Sequence, residues 1–210
     1  MNDDGLTRKL FIPILLGTIR KGRESENVAK LIFDRARAHP ELETQLFDPR
    51  RMVFPMNDEG QGLKKLNPEW REAIIRADGL IIISPEYNHG YPGSLKMALD
   101  MLLKEYIHKA VALVGVSAGP WGGTRVIEKL VGVVRELGLV VTFTDLNFNN
   151  VETKFDAEGR LLDQAMNARI DGFFAELIWM ARTLCLGRAH LPSEYHEQSG
   201  DCRLVAAGSE

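Results

Sequence analysis

Apolar residues along this chain form short, nearly unbroken runs, which alternate with longer stretches of mixed polarity. Runs of the first kind are typical of parallel strands buried on both faces, and the longer stretches are typical of helices. The runs predict five strands, at residues 10–17, 42–47, 79–84, 110–117 and 139–146. The longer stretches predict five helices, at residues 25–38, 68–77, 94–104, 123–137 and 161–186.

This alternation of strand and helix favours one α/β domain, in which helices cover both faces of a parallel sheet and the crossovers are right-handed. We expect the domain to span residues 1–187, followed by a loosely attached tail at residues 188–210. Pro13 weakens the first strand, because proline cannot donate a ladder hydrogen bond. Asn67 is the expected N-cap of the second helix, and the long connection at residues 48–67 is of a kind that is often functional.

The composition is that of an ordinary soluble globular protein, with 45% hydrophobic and 26% charged residues. A formal net charge of −3 gives no electrostatic reason to expect nucleic acid or an anionic membrane as a partner. No apolar run reaches the length that spans a bilayer, and the polar amino-terminal residues lack the apolar stretch of a signal peptide. Cys185 and Cys202 show no metal-binding spacing, so no metal site is predicted and the cytoplasm is the expected location.

Ligands of such sheets bind beyond the carboxyl ends of the strands, so the segments that follow the strands are candidates for a site. The segment after the first strand opens onto the N-terminus of a helix, where amides and a favourable dipole suit a phosphate monoester. Thr18, Ser25 and Asn27 add side-chain donors there. Arg20, with Arg23 behind it, adds positive charge. The alternative is a solvated turn in which Ser25 only caps the helix.

The segment after the third strand, residues 84–93, contains two prolines and two glycines that fix an irregular backbone path. Such a loop exposes amides and carbonyls that suit the pyrimidine edge of a flavin, and Tyr87 or Tyr91 could stack on a ring. The segment after the fourth strand, residues 117–124, contains three glycines that allow the backbone to approach a planar ligand closely. For these segments, and for His89, the alternative is a turn that merely starts the next helix.

Three motifs follow the first, third and fourth strands: GTIRKGR at residues 17–23, PEYNHGYPGSLKMALD at residues 85–100 and SAGPWGG at residues 117–123. Together they resemble the NADPH-dependent FMN reductase family, which includes quinone, azo-dye and chromate reductases. Thr18 stands where the family's first motif has Ser, and the resemblance covers roughly residues 10–145. It implies a flavodoxin-like α/β fold with a doubly wound, five-stranded parallel sheet of order 2-1-3-4-5 and helices on both faces.

The resemblance also implies roles for individual residues around FMN. The phosphate of the cofactor would be bound by Thr18, Arg20, Ser25 and Asn27. The edge of its isoalloxazine ring would be lined by Pro85, Glu86, Tyr87 and Asn88. The other side of the ring would be bordered by Ser117 and Gly119.

The predicted function is an NAD(P)H-dependent, FMN-containing reductase that passes electrons to a quinone, an azo compound, a flavin or a metal oxyanion. No Ser-His-Asp set or carboxylate pair stands out, which fits an enzyme whose flavin carries the chemistry, so no catalytic side chain is predicted. One alternative is an FMN-bearing electron carrier that docks to protein partners, although a net charge of −3 gives little of the acidic field that aids such docking. The other alternative is a binding or regulatory module without turnover. No motif separates NADH from NADPH.

Two predicted helices carry more apolar surface than one face of a sheet can cover. Residues 95–103 contain seven apolar residues out of nine, and residues 173–186 contain only three polar ones. Exposed apolar patches of that size usually mark an interface. We therefore expect a homodimer or a dimer of dimers with the flavin near the interface, as the resemblance also implies, and the alternative is that the C-terminal tail covers both helices.

Overall fold

A parallel β-sheet forms the centre of the computed structural model, which describes residues 8–55 and 60–195. These residues contain eight short strands: β1 (Leu10–Phe11), β2 (Ile14–Leu16), β3 (Leu42–Glu43), β4 (Leu46–Phe47), β5 (Gly79–Pro85), β6 (Ala110–Val116), β7 (Val140–Val141) and β8 (Leu146–Phe148). All paired strands run parallel to each other. Parallel pairing requires crossover connections and not hairpins, in agreement with the sequence pattern.

Each of the five apolar runs of the sequence contains strand residues, but three of the runs are each divided into two strands. β1 and β2 come from the first run, β3 and β4 from the second, and β7 and β8 from the fifth. Eight shorter strands therefore replace the predicted five. The larger sheet has the order β4-β2-β5-β6-β7, with β8 also paired to β6, and β1 pairs with β3.

Local chemistry accounts for the first two divisions. Pro13 has no N–H to donate, although its carbonyl accepts a hydrogen bond from the amide of Ile81 at 3.0 Å. In the second run, the hydroxyl of Thr44 donates to the carbonyl of Ile12 at 2.7 Å and so competes with backbone pairing at that point. Each break is confined to two residues, 12–13 in the first run and 44–45 in the second.

The described residues contain five α-helices: α1 (Ser25–Ala38), α2 (Pro68–Arg76), α3 (Gly93–Asp100), α4 (Thr124–Glu136) and α5 (Ala165–His190). The buried apolar residues of α1 and α5 form one core with the sheet, and those of α2, α3 and α4 form a second core. The two cores lie on opposite faces of the sheet, which confirms the predicted α/β class. None of the helices within the described part of the chain has both the length and the apolarity to cross a membrane.

Two helices end four residues away from the predicted positions, and one of them, α5, also begins at Ala165 and not at residue 161. α3 ends at Asp100, and α5 continues to His190, so the domain boundary predicted after residue 187 falls inside a helix. Arg188, in the last turn of α5, is buried and donates to the carbonyl of His108 at 2.6 Å. The start of the predicted tail therefore belongs to the packed domain, and residues 196–210 lie outside the described part of the chain.

Asn67 is the N-cap residue of α2, as predicted, but its side chain makes no capping hydrogen bond and instead fastens the long connection to α2. Its amide nitrogen donates to the carbonyls of Val53 and Leu63, both at 3.1 Å, and its oxygen accepts from the amide of Val53 at 2.8 Å. Two stretches of the connection form 3-10 turns, at Pro49–Arg51 and Gly60–Lys65. One buried amide side chain thus orders a connection that the sequence presents as a long loop.

Lys109 is a buried cation at the carboxyl end of α2. Its ammonium group donates to the carbonyl of Ile75 at 2.9 Å and to that of Ile74, so it binds two of the last carbonyls of the helix. Burial lowers the pKa of Lys109 from 10.5 to about 7, and the charge of Arg188 acts in the same direction. Removal from water therefore outweighs the opposing effect of two nearby carboxylates.

We expect Lys109 to make the free energy of unfolding rise with pH between about 7 and 10.5. In this range the unfolded chain holds the lysine proton and the folded chain does not, so raising the pH favours the folded state. Each unit of pKa difference corresponds to about 1.4 kcal/mol. Urea unfolding at stepped pH should show the rise in the wild type and a flatter profile in Lys109→Met. A variant profile as steep as that of the wild type would contradict this assignment.

Candidate functional site

A cavity of about 260 Å³ lies at the edge of the sheet where the carboxyl ends of the central strands meet. Its walls come from the loops that follow β2, β5 and β6 and from the turn after β8. Six residues predicted for the site line this cavity: Arg20, Ser25, Pro85, Glu86, Tyr87 and Ser117. The three loops selected from the sequence therefore meet in one place, as the geometry of a parallel sheet requires.

A buried arginine holds the loop after β2. Arg23, whose side chain is 1% exposed, pairs with both carboxylate oxygens of Asp48 at 2.9 and 2.5 Å. Its guanidinium also donates to the carbonyl of Thr18 and, at 3.3 Å, to Glu26. Burial lowers the pKa of Arg23 and raises that of Asp48, but their mutual hydrogen bonds and charges outweigh burial, so the pKa of Arg23 lies above and that of Asp48 below its ordinary value. The positive charge of Arg23, which was expected behind Arg20, therefore holds the loop in place.

Ser25 lines the cavity, and its hydroxyl oxygen is buried. Among the described residues its oxygen has no hydrogen-bond partner. Ser25 does not cap α1, because the N-cap position is Glu24 and no side chain caps the helix there. A buried hydroxyl left without a partner costs about 1–3 kcal/mol. A ligand oxygen at the N-terminus of α1 would satisfy this hydroxyl, so the position fits an anionic group such as a phosphate.

Thr18, Arg20 and Tyr87 connect the first loop of the cavity to the second. The buried hydroxyl of Thr18 accepts a hydrogen bond from the amide of Arg20 at 3.2 Å and shares another with the Tyr87 hydroxyl at 3.2 Å. The guanidinium of Arg20 lies 3.6 Å from the centroid of the Tyr87 ring, in a cation–π contact. Because Arg20 is exposed, a positive charge stands at the rim of the cavity that Ser25 also lines.

Glu86 places a carboxylate in the wall of the cavity. Its side chain is 8% exposed, and one carboxylate oxygen accepts a hydrogen bond from Arg125 at 3.2 Å. The other oxygen, Oε2, is buried and has no hydrogen-bond partner within the described part of the chain. That oxygen is therefore placed to accept a hydrogen bond from an N–H or O–H group of a ligand.

The loop after β5 turns sharply beyond Glu86. Tyr87 and Gly90 exchange backbone hydrogen bonds of 2.9 and 3.0 Å across a two-residue turn. Asn88 and His89, the two central residues, have φ values of 51° and 65°. Asparagine and histidine adopt this left-handed conformation more readily than most residues. Asn88 consequently lies exposed at the tip of the turn and does not line the cavity.

The glycines at the end of the loop after β6 serve the packing of the protein itself. Gly122 and Gly123 have φ values of 61° and 79°. A Cβ on Gly123 would lie 2.6 Å from the amide nitrogen of Val116, and a Cβ on Gly122 would lie 2.8 Å from the Cβ of Asn147. A Cβ on Gly119, in contrast, would meet open space. The close approach that these two glycines permit is therefore to the protein's own strands β6 and β8.

Four predicted residues lie outside the lining of the cavity: Thr18, Asn27, Asn88 and Gly119. Asn27 is half-buried in α1, and its side-chain oxygen lies against the turn at Gly159. Gly119 is exposed, and its carbonyl accepts a hydrogen bond of 2.8 Å from the hydroxyl of Ser117. The cavity therefore brings together the middle of the first predicted segment and the starts of the other two.

Val151 and Glu152, which follow β8, complete the wall of the cavity but are absent from the predicted set. The same geometric rule that selected the other loops applies to them, because the fifth apolar run ends at this edge of the sheet too. Arg125 and Asp48 are a different case. Arg125 acts through its ion pair with Glu86, and Asp48 acts through its ion pair with Arg23. No spacing in the sequence indicates that these residues are paired.

A family model described as NADPH-dependent FMN reductase matches residues 12–153 of the chain. The NADPH azoreductase of Bacillus sp. (strain OY1-2) is 32% identical over 120 residues, which are 56% of this chain and 64% of the azoreductase. The quinone reductase of Escherichia coli (strain K12) is 28% identical over 177 residues, which are 80% of this chain and 93% of that protein.

Among solved structures, the flavoenzyme NAD(P)H:(acceptor) oxidoreductase FerB from Paracoccus denitrificans is similar, with a TM-score of 0.68 and 20% identity. The similarity covers 83% of this chain and 98% of FerB. At that level of identity the likeness shows that the two proteins share a fold.

We expect Gly123→Ala to destabilise the protein far more than Gly119→Ala. A left-handed conformation costs a non-glycine residue about 1–2 kcal/mol, and the new Cβ of Gly123→Ala would also overlap the backbone of β6. Gly119 is the matched control, since it lies in the same loop and has room for a Cβ. Urea unfolding of both variants should give a difference of at least about 2 kcal/mol. Equal unfolding midpoints would show that the loop does not depend on this packing.

Proposed function

The chain belongs to the NADPH-dependent FMN reductase family, so it is an oxidoreductase with FMN as cofactor and NAD(P)H as electron donor, and we propose that it reduces a small quinone or azo compound at the cavity. The observation that carries this proposal is a pair of buried oxygens, Ser25 Oγ and Glu86 Oε2, that lack hydrogen-bond partners among the described residues. Ser25 is the first residue of α1 and Glu86 lies in the loop after β5, and both residues line the same cavity. A ligand with a phosphate at one end and hydrogen-bond donors at the other would satisfy both.

The phosphate of FMN would be bound at the loop after β2. Ser25 contributes its hydroxyl, the N-terminus of α1 contributes a favourable dipole, and Arg20 contributes a positive charge at the rim. The hydroxyl of Thr18 holds the turn between them by accepting from the amide of Arg20. Asn27 is not part of this proposal, because it does not line the cavity.

The edge of the isoalloxazine ring would be lined by the loop after β5 and the start of the loop after β6. Glu86 accepts a hydrogen bond from the ring edge in this arrangement, and Arg125 balances its charge. Pro85, Tyr87 and Ser117 form the rest of the wall. FMN, when bound, supplies the exchange of two electrons, which protein side chains of these types do not perform. The contribution of the chain is to bind and orient the cofactor and to exclude water from one side of it.

We expect the purified protein to release FMN on heating, because the cavity offers one phosphate site. NADPH or NADH should bleach the bound flavin rapidly without oxygen, and a quinone or an azo dye should restore its colour. Chromatography against FMN, FAD and riboflavin identifies the cofactor, and parallel runs with the two nicotinamides show which is preferred. FAD, or no flavin after reconstitution, would contradict the cofactor assignment. Bleaching that no small acceptor reverses would favour an electron carrier that docks to protein partners.

The apolar surface that the sequence assigns to an interface is only partly exposed. Leu99 and most of the apolar residues around α3 are buried inside this chain, so the composition of that helix does not require a partner. On α5, Trp179 is 62% exposed and lies beside a groove of about 590 Å³ between α1 and α5, with Phe174 and Ile178 in its wall. Phe174 and Ile178 are buried, so Trp179 is the large apolar side chain that this face exposes, and such exposure beside a groove is typical of a contact surface. We infer that two copies of the chain form a homodimer through this face of α5.

This face of α5 lies far from the cavity. The groove is bordered by residues 38–41, which precede β3, so it lies toward the amino ends of the strands. The cavity lies at their carboxyl ends. A partner bound at this face therefore would not wall the flavin, which differs from the expectation drawn from the family.

We expect Trp179→Glu to convert the dimer into a single chain of 23.5 kDa, because it replaces the large exposed apolar side chain of this face with a charge. Phe143→Glu is the matched control, since Phe143 is 92% exposed but lies between β7 and β8, on another surface. Light scattering at micromolar concentration measures the mass. The affinity for FMN should change by no more than about twofold, because distant sites act independently. A wild type that is already monomeric, or a Trp179→Glu variant that stays dimeric, would contradict the proposal.

A further inference from the structure

Guanidinium groups bind three consecutive backbone carbonyls of the loop after β2. The carbonyl of Thr18 accepts from Arg23. The carbonyls of Ile19 and Arg20 accept from Arg50, at 3.2 Å in the case of Ile19. Arg50 belongs to the 3-10 turn that follows β4 and is thirty residues away from Arg20 in the sequence. The backbone of the loop is therefore fastened to a neighbouring segment of the fold.

Asp48 joins the two arginines that hold the loop. Its carboxylate pairs with Arg23 at 2.9 and 2.5 Å and accepts another hydrogen bond from the amide of Arg50 at 3.0 Å. Glu26 lies 3.3 Å from one nitrogen of Arg23 and 3.7 Å from one of Arg50, so it adds a second negative charge to the network. Neither Asp48 nor Arg50 lines the cavity. Apart from their charge, they influence a ligand there only through the loop.

We propose that Asp48 and Arg50 are positioning residues for the FMN phosphate and that they act through the loop after β2, an inference that rests on the phosphate site proposed above. A trans peptide group points its carbonyl and its N–H in opposite directions. Binding three successive carbonyls therefore also fixes the directions of the N–H groups between them. A loop that is ordered before the ligand arrives loses less entropy when the ligand binds, which raises affinity.

Positioning and simple charge effects predict opposite results at Asp48. Asp48→Asn removes a negative charge near the phosphate site. The loss of its Coulomb repulsion with the phosphate would by itself strengthen FMN binding. The same substitution removes the paired hydrogen bonds to Arg23 and loosens the loop, which weakens FMN binding. The direction of the change therefore decides between the two explanations.

Arg50 and Arg51 give a matched pair of variants. Both lie in the same 3-10 turn and both are exposed, so removing either changes the charge of the turn equally. Only Arg50 donates side-chain hydrogen bonds to the loop, as far as the described residues show. A difference between Arg50→Ala and Arg51→Ala therefore reports the bonds to the loop and not the charge.

The test is equilibrium dialysis of the full chain and its variants against FMN and, separately, against riboflavin, which lacks the phosphate. We expect Asp48→Asn and Arg50→Ala to weaken FMN binding at least about tenfold, the effect of losing hydrogen bonds to charged groups. Riboflavin binding should change by no more than about threefold in both variants, since the ring site is separate. Arg51→Ala should bind both flavins as the wild type does.

Equal FMN affinities in Arg50→Ala and Arg51→Ala would overturn the inference, and so would equal losses for FMN and riboflavin. Tighter FMN binding by Asp48→Asn would show that charge dominates and would overturn it too. If Asp48→Asn does not fold, the comparison of Arg50→Ala with Arg51→Ala decides alone. Arg20→Ala separates this inference from the function it rests on. If Arg20→Ala binds FMN as tightly as the wild type, the proposed phosphate site itself is wrong.

Discussion

Burial of the central strands on both faces is the constraint from which the site follows. Parallel strands cannot be joined by hairpins, so each connection crosses a face of the sheet and the next strand begins again at the amino edge. Every loop that follows a strand therefore leaves from the opposite edge. β5 and β6 are buried along their whole length, and β2 lies next to β5. The three loops of the cavity are neighbours because their strands are neighbours, before any ligand is considered.

The same constraint explains which features could be predicted from the sequence. Strand and helix positions follow from apolar patterning, and the edge where the loops meet follows from parallel pairing, so Arg20, Ser25 and Glu86 could be placed near one another. The hydrogen-bond partners of individual side chains could not be predicted in this way. Arg23 has the sequence context of a phosphate-binding cation, and Asn67 has that of a helix cap, yet both bind other parts of the backbone. Partners that are distant along the chain leave no mark in local spacing, and only the fold brings them together.

Positive charge around the cavity serves two purposes that the sequence does not separate. Arg23 and Arg125 are paired with Asp48 and Glu86, so they hold loops in place at little net charge. Arg20 stacks on an aromatic ring and stays exposed at the rim. Removing ion pairs from water is expensive unless their geometry is good, and the paired contacts of Arg23 meet that condition. Of these three arginines, the exposed Arg20 therefore contributes most to the attraction felt by an incoming anion, on a loop that the paired Arg23 holds in place.

The loop after β6 combines a fixed base with a free tip. Gly122 and Gly123 cannot acquire a side chain without displacing backbone, whereas Trp121, directly before them, is 60% exposed and contacts Arg125 at 5.1 Å. For directed evolution this division is useful, because randomising positions 118–121 alters the surface beside the cavity while the anchoring glycines are retained. We expect most members of such a library to fold, so a screen for new electron acceptors would sample chemistry at the mouth of the cavity and not failures of folding.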